Sequence, residues 1–164
     1  MIEQITLSSE QDGLELSLLL LSPDAPKGIV QFSHGMSEHK ERYLPFMEFL
    51  CEKGYACVIH DHRGHGASVR HPDDLGYFYT NGAEHVILDL HQVSLWAKKR
   101  YPSLPLYLFG HSMGSLIVRN YIKRFDDEID GLIVCGSPSK NILAKPARAW
   151  IRLMAKRKGE KWRS

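Results

Sequence analysis

A chain of 164 residues is long enough for one domain with a sizeable core and too short for two ordinary ones. Apolar residues at 43% and charged residues at 24% are globular values, and 13 Gly with 8 Pro exclude a collagen-like or low-complexity chain. Lys plus Arg at 21 against Asp plus Glu at 19 leaves a net charge of +2, too small for a general field that would hold nucleic acid.

Cys51, Cys57 and Cys135 form no CxxC pair, and an odd count of this kind suits a reducing compartment. Cys57 and Cys135 fall in apolar runs and read as inert core residues. The first ten residues carry Glu3 and Glu10 and no basic patch before an apolar stretch, so they do not read as a secretion signal. The longest aliphatic run, Leu18 to Leu21, is far too short to cross a bilayer. The expectation is a soluble, cytoplasmic protein.

In chain order, Ile2–Leu7 and Leu14–Leu21 flank Gln11-Asp12-Gly13 and read as a hairpin. Four short apolar runs follow, Ile29–Phe32, Ala56–Ile59, Leu106–Phe109 and Leu132–Cys135, and read as strands covered on both faces. Helical patterns fill the gaps. Leu44, Met47 and Leu50 recur at threes before Gly54. Ala83, Val86, Ile87, Leu90, Ser94 and Ala97 form one stripe, with Asn81 and Glu84 as a capping box and Pro102 beyond the far end. Met113, Leu116, Ile117 and Tyr121 share a third face. Alternating strands and helices predict an α/β fold, a doubly wound, mostly parallel sheet with right-handed crossovers. No internal repeat or clear linker is visible. The character changes near Pro138, giving a core at residues 1–138 and a distinct segment at 139–164. Within that segment, 147–158 is basic and amphipathic; it reads as a helix packed on its apolar side, with contact to a membrane surface as a second reading.

The strongest chemical signal is Gly110-His111-Ser112-Met113-Gly114, between an apolar strand and a helical pattern. This is GxSxG in the strand–turn–helix context that a nucleophile elbow needs. Ser112 turns sharply from strand to helix, Gly110 and Gly114 leave room for the neighbouring elements, and the helix N-terminus offers free N–H groups to a developing oxyanion. A second signal is His34-Gly35-Met36 at the end of another strand, where the Met36 amide would join that of Met113 as the two oxyanion donors of an acyl-transfer enzyme. The third is the run from His60 to Ser68. His60, His62 and His65 invite a zinc reading, but Gly64 stands where a metal-binding HxHxDH pattern needs Asp, so no metal is expected there.

Together, His34-Gly35-Met36-Ser37-Glu38-His39 with Arg42-Tyr43, Asp61–Ser68 and Gly110–Gly114 resemble the monoacylglycerol lipase and lysophospholipase branch of the α/β-hydrolases, the serine aminopeptidase S33 type. The resemblance runs from about Ile29 to Pro138. It implies a serine hydrolase of carboxylic esters, with small-molecule or lipid esters such as monoacylglycerols or lysophospholipids as substrates and no cofactor. It makes Ser112 the nucleophile and Met36 and Met113 the oxyanion donors, with His34, Gly35, Gly110, His111 and Gly114 in support. Ser115 stands where relatives often have Gly.

In such folds the acid and the histidine base follow the serine. Here all nine histidines precede Ser112, and Asp126, Asp127 and Asp130 come too early for the family's acid. The sequence therefore reads as the N-terminal part of a hydrolase, carried through about the sixth strand and into the start of the lid. Activity of this chain in isolation is not expected. The edge at 132–135 would then be open to aggregation or to a partner chain. The alternatives are a non-catalytic α/β binding module and one half of a split hydrolase.

Overall fold

The computed structural model describes residues 2–139 together with 150, 151, 154, 157 and 159. The expected boundary at 138/139 and most of the basic segment at 147–158 lie at the edge of, or outside, the described residues.

The hairpin forms as the turn signal predicts. β1 (Ile2–Ser8) and β2 (Glu15–Leu21) pair antiparallel from Ile2↔Leu21 to Ser8↔Glu15. Gly13 takes φ +71°, which a residue without Cβ adopts freely. β3 (Ile29–Ser33), β4 (Ala56–His60), β5 (Leu106–His111) and β6 (Gly131–Cys135) complete a six-stranded sheet of order β1-β2-β4-β3-β5-β6. The β3–β4, β3–β5 and β5–β6 pairs are parallel. The doubly wound, mostly parallel α/β sheet is therefore present, with the hairpin as its antiparallel margin.

Alternation along β2 divides the core. Leu16, Leu18 and Leu20 point to one face and pack with Val93 and Ala97 of α2 (Gly82–Arg100). Leu19 and Leu21 point to the other and pack with Met47 of α1 (Leu44–Glu52). α3 (Met113–Phe125) joins the α2 side through Ile117, Val118 and Tyr121 around Leu108. Each fully buried aliphatic side chain of this kind contributes about 1.5–3 kcal/mol.

Four expectations need correction. Gln31 breaks the apolar run of β3. It is buried because Nε2 donates to the Leu90 carbonyl at 2.8 Å and Oε1 accepts the Ser94 hydroxyl at 2.6 Å. The capping box at Asn81 and Glu84 does not form: Asn81 is left-handed, φ +54°, and makes no side-chain cap bond. Its carbonyl accepts the amides of Glu84 and His85 instead. On the stripes, Ala83 and Leu116 are exposed, while Asp89 lies fully buried on α2. Finally, β6 is not covered on both faces: Ile133, Val134 and Cys135 are exposed, only Leu132 packs against the α3 cluster, and among the described residues only β5 pairs with it. Cys135 is therefore not a core residue, although all three cysteines are free and Cys57 is buried.

Candidate active site

Parallel pairing sets the site. Ser33 of β3 lies beside Gly110 of β5, so His34-Gly35-Met36 and His111-Ser112-Met113 leave the carboxyl edge of the sheet side by side. Phe32 pairs with Ile59, which brings Asp61 and His62 to the same edge.

Ser112 is the residue between β5 and α3, at φ +51° and ψ −115°. That conformation is sterically costly for a residue with a side chain, and the surroundings hold it. The Ser112 amide donates to the Cys135 carbonyl at 3.0 Å, and its carbonyl accepts the Ser115 amide at 3.0 Å and the Ser115 hydroxyl at 2.5 Å. Ser115, fully buried, is thus accommodated by a bond that braces the turn. The glycines are required by contact. A Cβ on Gly110 would stand 2.6 Å from Val118 Cγ2 and 2.7 Å from the Gly114 carbonyl, and one on Gly114 would strike the Ser33 carbonyl. A Cβ on Gly35 would stand 3.3 Å from Ser112 Cβ, so the Gly35 turn and the serine touch.

Met113 is the first residue of α3, so its N–H has no acceptor within the helix. Met36 lies in the loop after β3, 67% exposed, and among the described residues nothing accepts its N–H. Ser37 beside it adopts φ +57°. Glu38 and Tyr43 close this loop, a role that the sequence alone does not assign: Glu38 Oε2 accepts the Gly35 amide and the Tyr43 hydroxyl, each at 2.8 Å. The signal available in the sequence was a carboxylate three residues beyond Gly35.

Most of the neighbouring histidines are committed elsewhere, whereas both ring nitrogens of buried His60 have no hydrogen-bond partner among the described residues. His34 is fully buried; its Nε2 accepts the His62 amide at 2.9 Å and its Nδ1–H donates to the Gly35 carbonyl at 2.8 Å. Burial pushes its pKa down to about 4. Both ring nitrogens are used, so His34 shapes the loop and is not available to take a proton from Ser112. His111 turns toward Tyr43 and Glu38, its Nδ1 3.2 Å from the Tyr43 hydroxyl. His60, His62 and His65 do not converge as a metal site. His62 Nε2 bonds the Ser33 hydroxyl at 2.9 Å, His65 Nδ1 bonds the Arg63 carbonyl at 3.2 Å, and among the described residues no such cluster has metal-holding geometry. Burial lowers the pKa of all three.

The Asp61–Ser68 loop is structural. Asp61 accepts the Lys40 backbone and side-chain nitrogens at 2.7 Å each and the Ala67 amide at 2.9 Å. Arg63, fully buried, bonds Asp89 at 2.8 Å and Asp12 at 3.1 Å, tying the loop to α2 and to the hairpin turn.

Two depressions lie near these loops, one beside Met36 and one beside Met113. One of about 560 Å³ runs past Met36, Glu38, His65, Leu75 and Phe78. The other, about 180 Å³, is walled by Phe78, Val86, Met113 and Leu116. No helix of the described residues is long and apolar enough to cross a membrane.

The sequence model of the family described as serine aminopeptidase, S33 matches residues 24–164. A monoglyceride lipase homolog of Monkeypox virus is 37% identical over 95 residues, 56% of this chain and 32% of that protein. The monoacylglycerol lipase of Mycolicibacterium smegmatis is 31% identical over 128 residues, 76% of this chain and 43% of the relative. Among solved structures, a thermostable carboxyl esterase from Bacillus coagulans, in complex with glycerol, superposes with a TM-score of 0.83 at 29% identity, covering 95% of this chain and 51% of the other. A soluble variant of the Saccharomyces cerevisiae monoglyceride lipase gives 0.76 at 26% identity over 95% and 52%. The chain thus spans about half, or less, of the length of these relatives. The chain belongs to the serine aminopeptidase S33 family of the α/β-hydrolases.

Proposed function

We propose that this chain carries the nucleophile and oxyanion hole of a serine hydrolase of carboxylic esters, with monoacylglycerols or lysophospholipids as the substrate class. The observation that carries the reading is Ser112 at φ +51°, set between Gly110 and Gly114 at the start of α3 and in contact with the Gly35 turn. Ser112 Oγ attacks the ester carbonyl. The Met36 and Met113 amides receive the oxyanion, each worth about 3 kcal/mol of barrier. The larger depression beside Met36, Leu75 and Phe78 is apolar enough on its walls to take part of an acyl chain.

The proton of Ser112 must go to a base. No histidine follows Ser112 in these 164 residues, and among the described residues none hydrogen-bonds to it. The sequence relatives named monoglyceride or monoacylglycerol lipase support the substrate class.

The test is hydrolysis of a 1-monoacylglycerol, a lysophospholipid and a short-chain p-nitrophenyl ester, with imidazole supplied as an external base and Ser112→Ala as control. Imidazole-dependent turnover of the p-nitrophenyl ester above the Ser112→Ala control is expected, beyond the about thousandfold over water that an oxyanion hole leaves in both chains. Preference for the long-chain lipids supports the substrate class; equal rates in Ser112→Ala with imidazole present contradict the whole reading.

One observation favours a second reading, that the chain is one half of a hydrolase completed by another polypeptide: Ile133 and Val134 of β6 are 49% and 41% exposed along an outer edge that is unpaired among the described residues. A monodisperse, cooperatively melting monomer in solution contradicts it.

A further inference from the structure

Glu38 is a carboxylate only 10% exposed, bound to the Gly35 turn that lies against Ser112 and given no role by the reaction as described. Its Oε2 accepts the Gly35 amide and the Tyr43 hydroxyl at 2.8 Å each, and lies 3.4 Å from His111 Nδ1. Arg42 Nε stands 3.3 Å from its other oxygen. The Tyr43 hydroxyl has a single proton and gives it to Glu38, so the proton shared across the 3.2 Å to His111 comes from His111 Nδ1–H. One oxygen therefore reaches two backbone segments. Gly35 immediately precedes Met36, and His111 immediately precedes Ser112.

The packing is equally direct. A Cβ on Gly35 would stand 2.9 Å from Glu38 Oε2 and 3.3 Å from Ser112 Cβ, so Gly35 is held between the carboxylate and the serine. The next turn contains Ser37 at φ +57°, a left-handed backbone that a serine keeps only when its neighbours fix it. Burial opposes charge on Glu38, but the Gly35 amide, the Tyr43 hydroxyl and His111 outweigh it and lower the carboxyl pKa, so the group is an anion at neutral pH.

We propose that Glu38 is a positioning residue: its carboxylate fixes the Met36-bearing turn against Ser112 by binding Gly35 N–H on one side and His111 on the other. This rests on Ser112 being the nucleophile. Glu38 does not touch the ester; it sets where the Met36 amide stands when the oxyanion forms. Glutamine at this position keeps an oxygen for Gly35 N–H. Alanine leaves that N–H without its partner and lets the Ser37 turn relax.

Two readouts on the full chain separate this from a general loss of stability. Amide hydrogen exchange at Gly35, followed by NMR, reports the bond without any chemistry. The rate at which a fluorophosphonate ester labels Ser112, measured against probe concentration with imidazole as external base, reports the oxyanion geometry. In Glu38→Ala, Gly35 exchange is expected to rise about tenfold or more. The limiting labelling rate is expected to fall about 100-fold while the half-saturating concentration changes less than about twofold. Glu38→Gln is expected to keep slow exchange and most of the labelling rate. Unchanged exchange and labelling in Glu38→Ala overturn the proposal, as does a Glu38→Gln chain impaired as deeply as Glu38→Ala. Should Glu38→Ala not fold, Tyr43→Phe removes one donor from the same carboxylate; a partial loss in both readouts supports the proposal and none overturns it. A wild-type chain that takes no label at Ser112 overturns the nucleophile reading instead, and Gly35 exchange alone then decides whether Glu38 holds the turn.

Discussion

His34 Nε2 accepts the backbone N–H of His62 at 2.9 Å, and this bond joins the loop after β3 to the loop after β4. It requires a neutral imidazole, because a protonated ring offers no acceptor. Burial supplies the neutrality by pushing the pKa from 6.5 to about 4.

The sign of the pH dependence follows. Between pH 6.5 and about 4 the unfolded chain binds a proton on His34 that the folded chain refuses, so stability is lost as pH falls through that window and levels below it. For His34 the loss across the window is about 3 kcal/mol. His60, lowered to about 4 by burial, adds in the same direction. Thermal melting of wild type and of His34→Gln, which stays neutral throughout, checks this. The wild type is expected to lose more melting temperature than the variant between pH 6.5 and 4; parallel curves contradict it.

Arg63 and Asp89 are both fully buried and bonded at 2.8 Å, so removing one charge strands the other. Arg63→Met is expected to cost about 3–5 kcal/mol in urea unfolding. Adding Asp89→Leu to it is expected to return much of that loss. A single substitution costing under about 1 kcal/mol would contradict the reading, since that is the range of an exposed pair.

Gly114→Ala places a methyl group on the Ser33 carbonyl, at the point where α3 meets β3. The backbone there must separate, at an expected cost of about 3 kcal/mol. Because the separation moves Met113 away from the β3 loop, Ser112 labelling is expected to fall as well, measured together with the melting temperature. Gly13→Ala is the control: the added Cβ meets nothing within 4 Å, so its strain is confined to the positive φ of the hairpin turn, far from the serine in the chain.

Local patterns in the sequence carried most of the fold. The Asp12-Gly13 turn, the stripes of α1 and α2, and the strand–GxSxG–helix context each declare themselves within a few residues. What stayed hidden depends on partners distant in the chain. Gln31 is buried only because Leu90 and Ser94 arrive from α2 to satisfy it. Asp89 looked like a polar residue on a helix until Arg63, 26 positions away, reached it. Asn81 kept the composition of a cap but adopted a left-handed backbone, from which its side chain makes no cap bond. At the candidate site, the strand-to-helix turn at Ser112 was legible from its glycines, whereas the contacts of Glu38 were not, because they are a bond to Gly35 and an approach to His111 across the sheet edge.

The central claim is that Ser112 is a nucleophile, with the Met36 and Met113 amides as its oxyanion donors. Mass spectrometric mapping of fluorophosphonate labelling, with and without imidazole, tests it most directly. The account predicts a single adduct on Ser112, formed faster as imidazole is added and absent from Ser112→Ala. An adduct on another residue, or none at Ser112 with imidazole present, would contradict it.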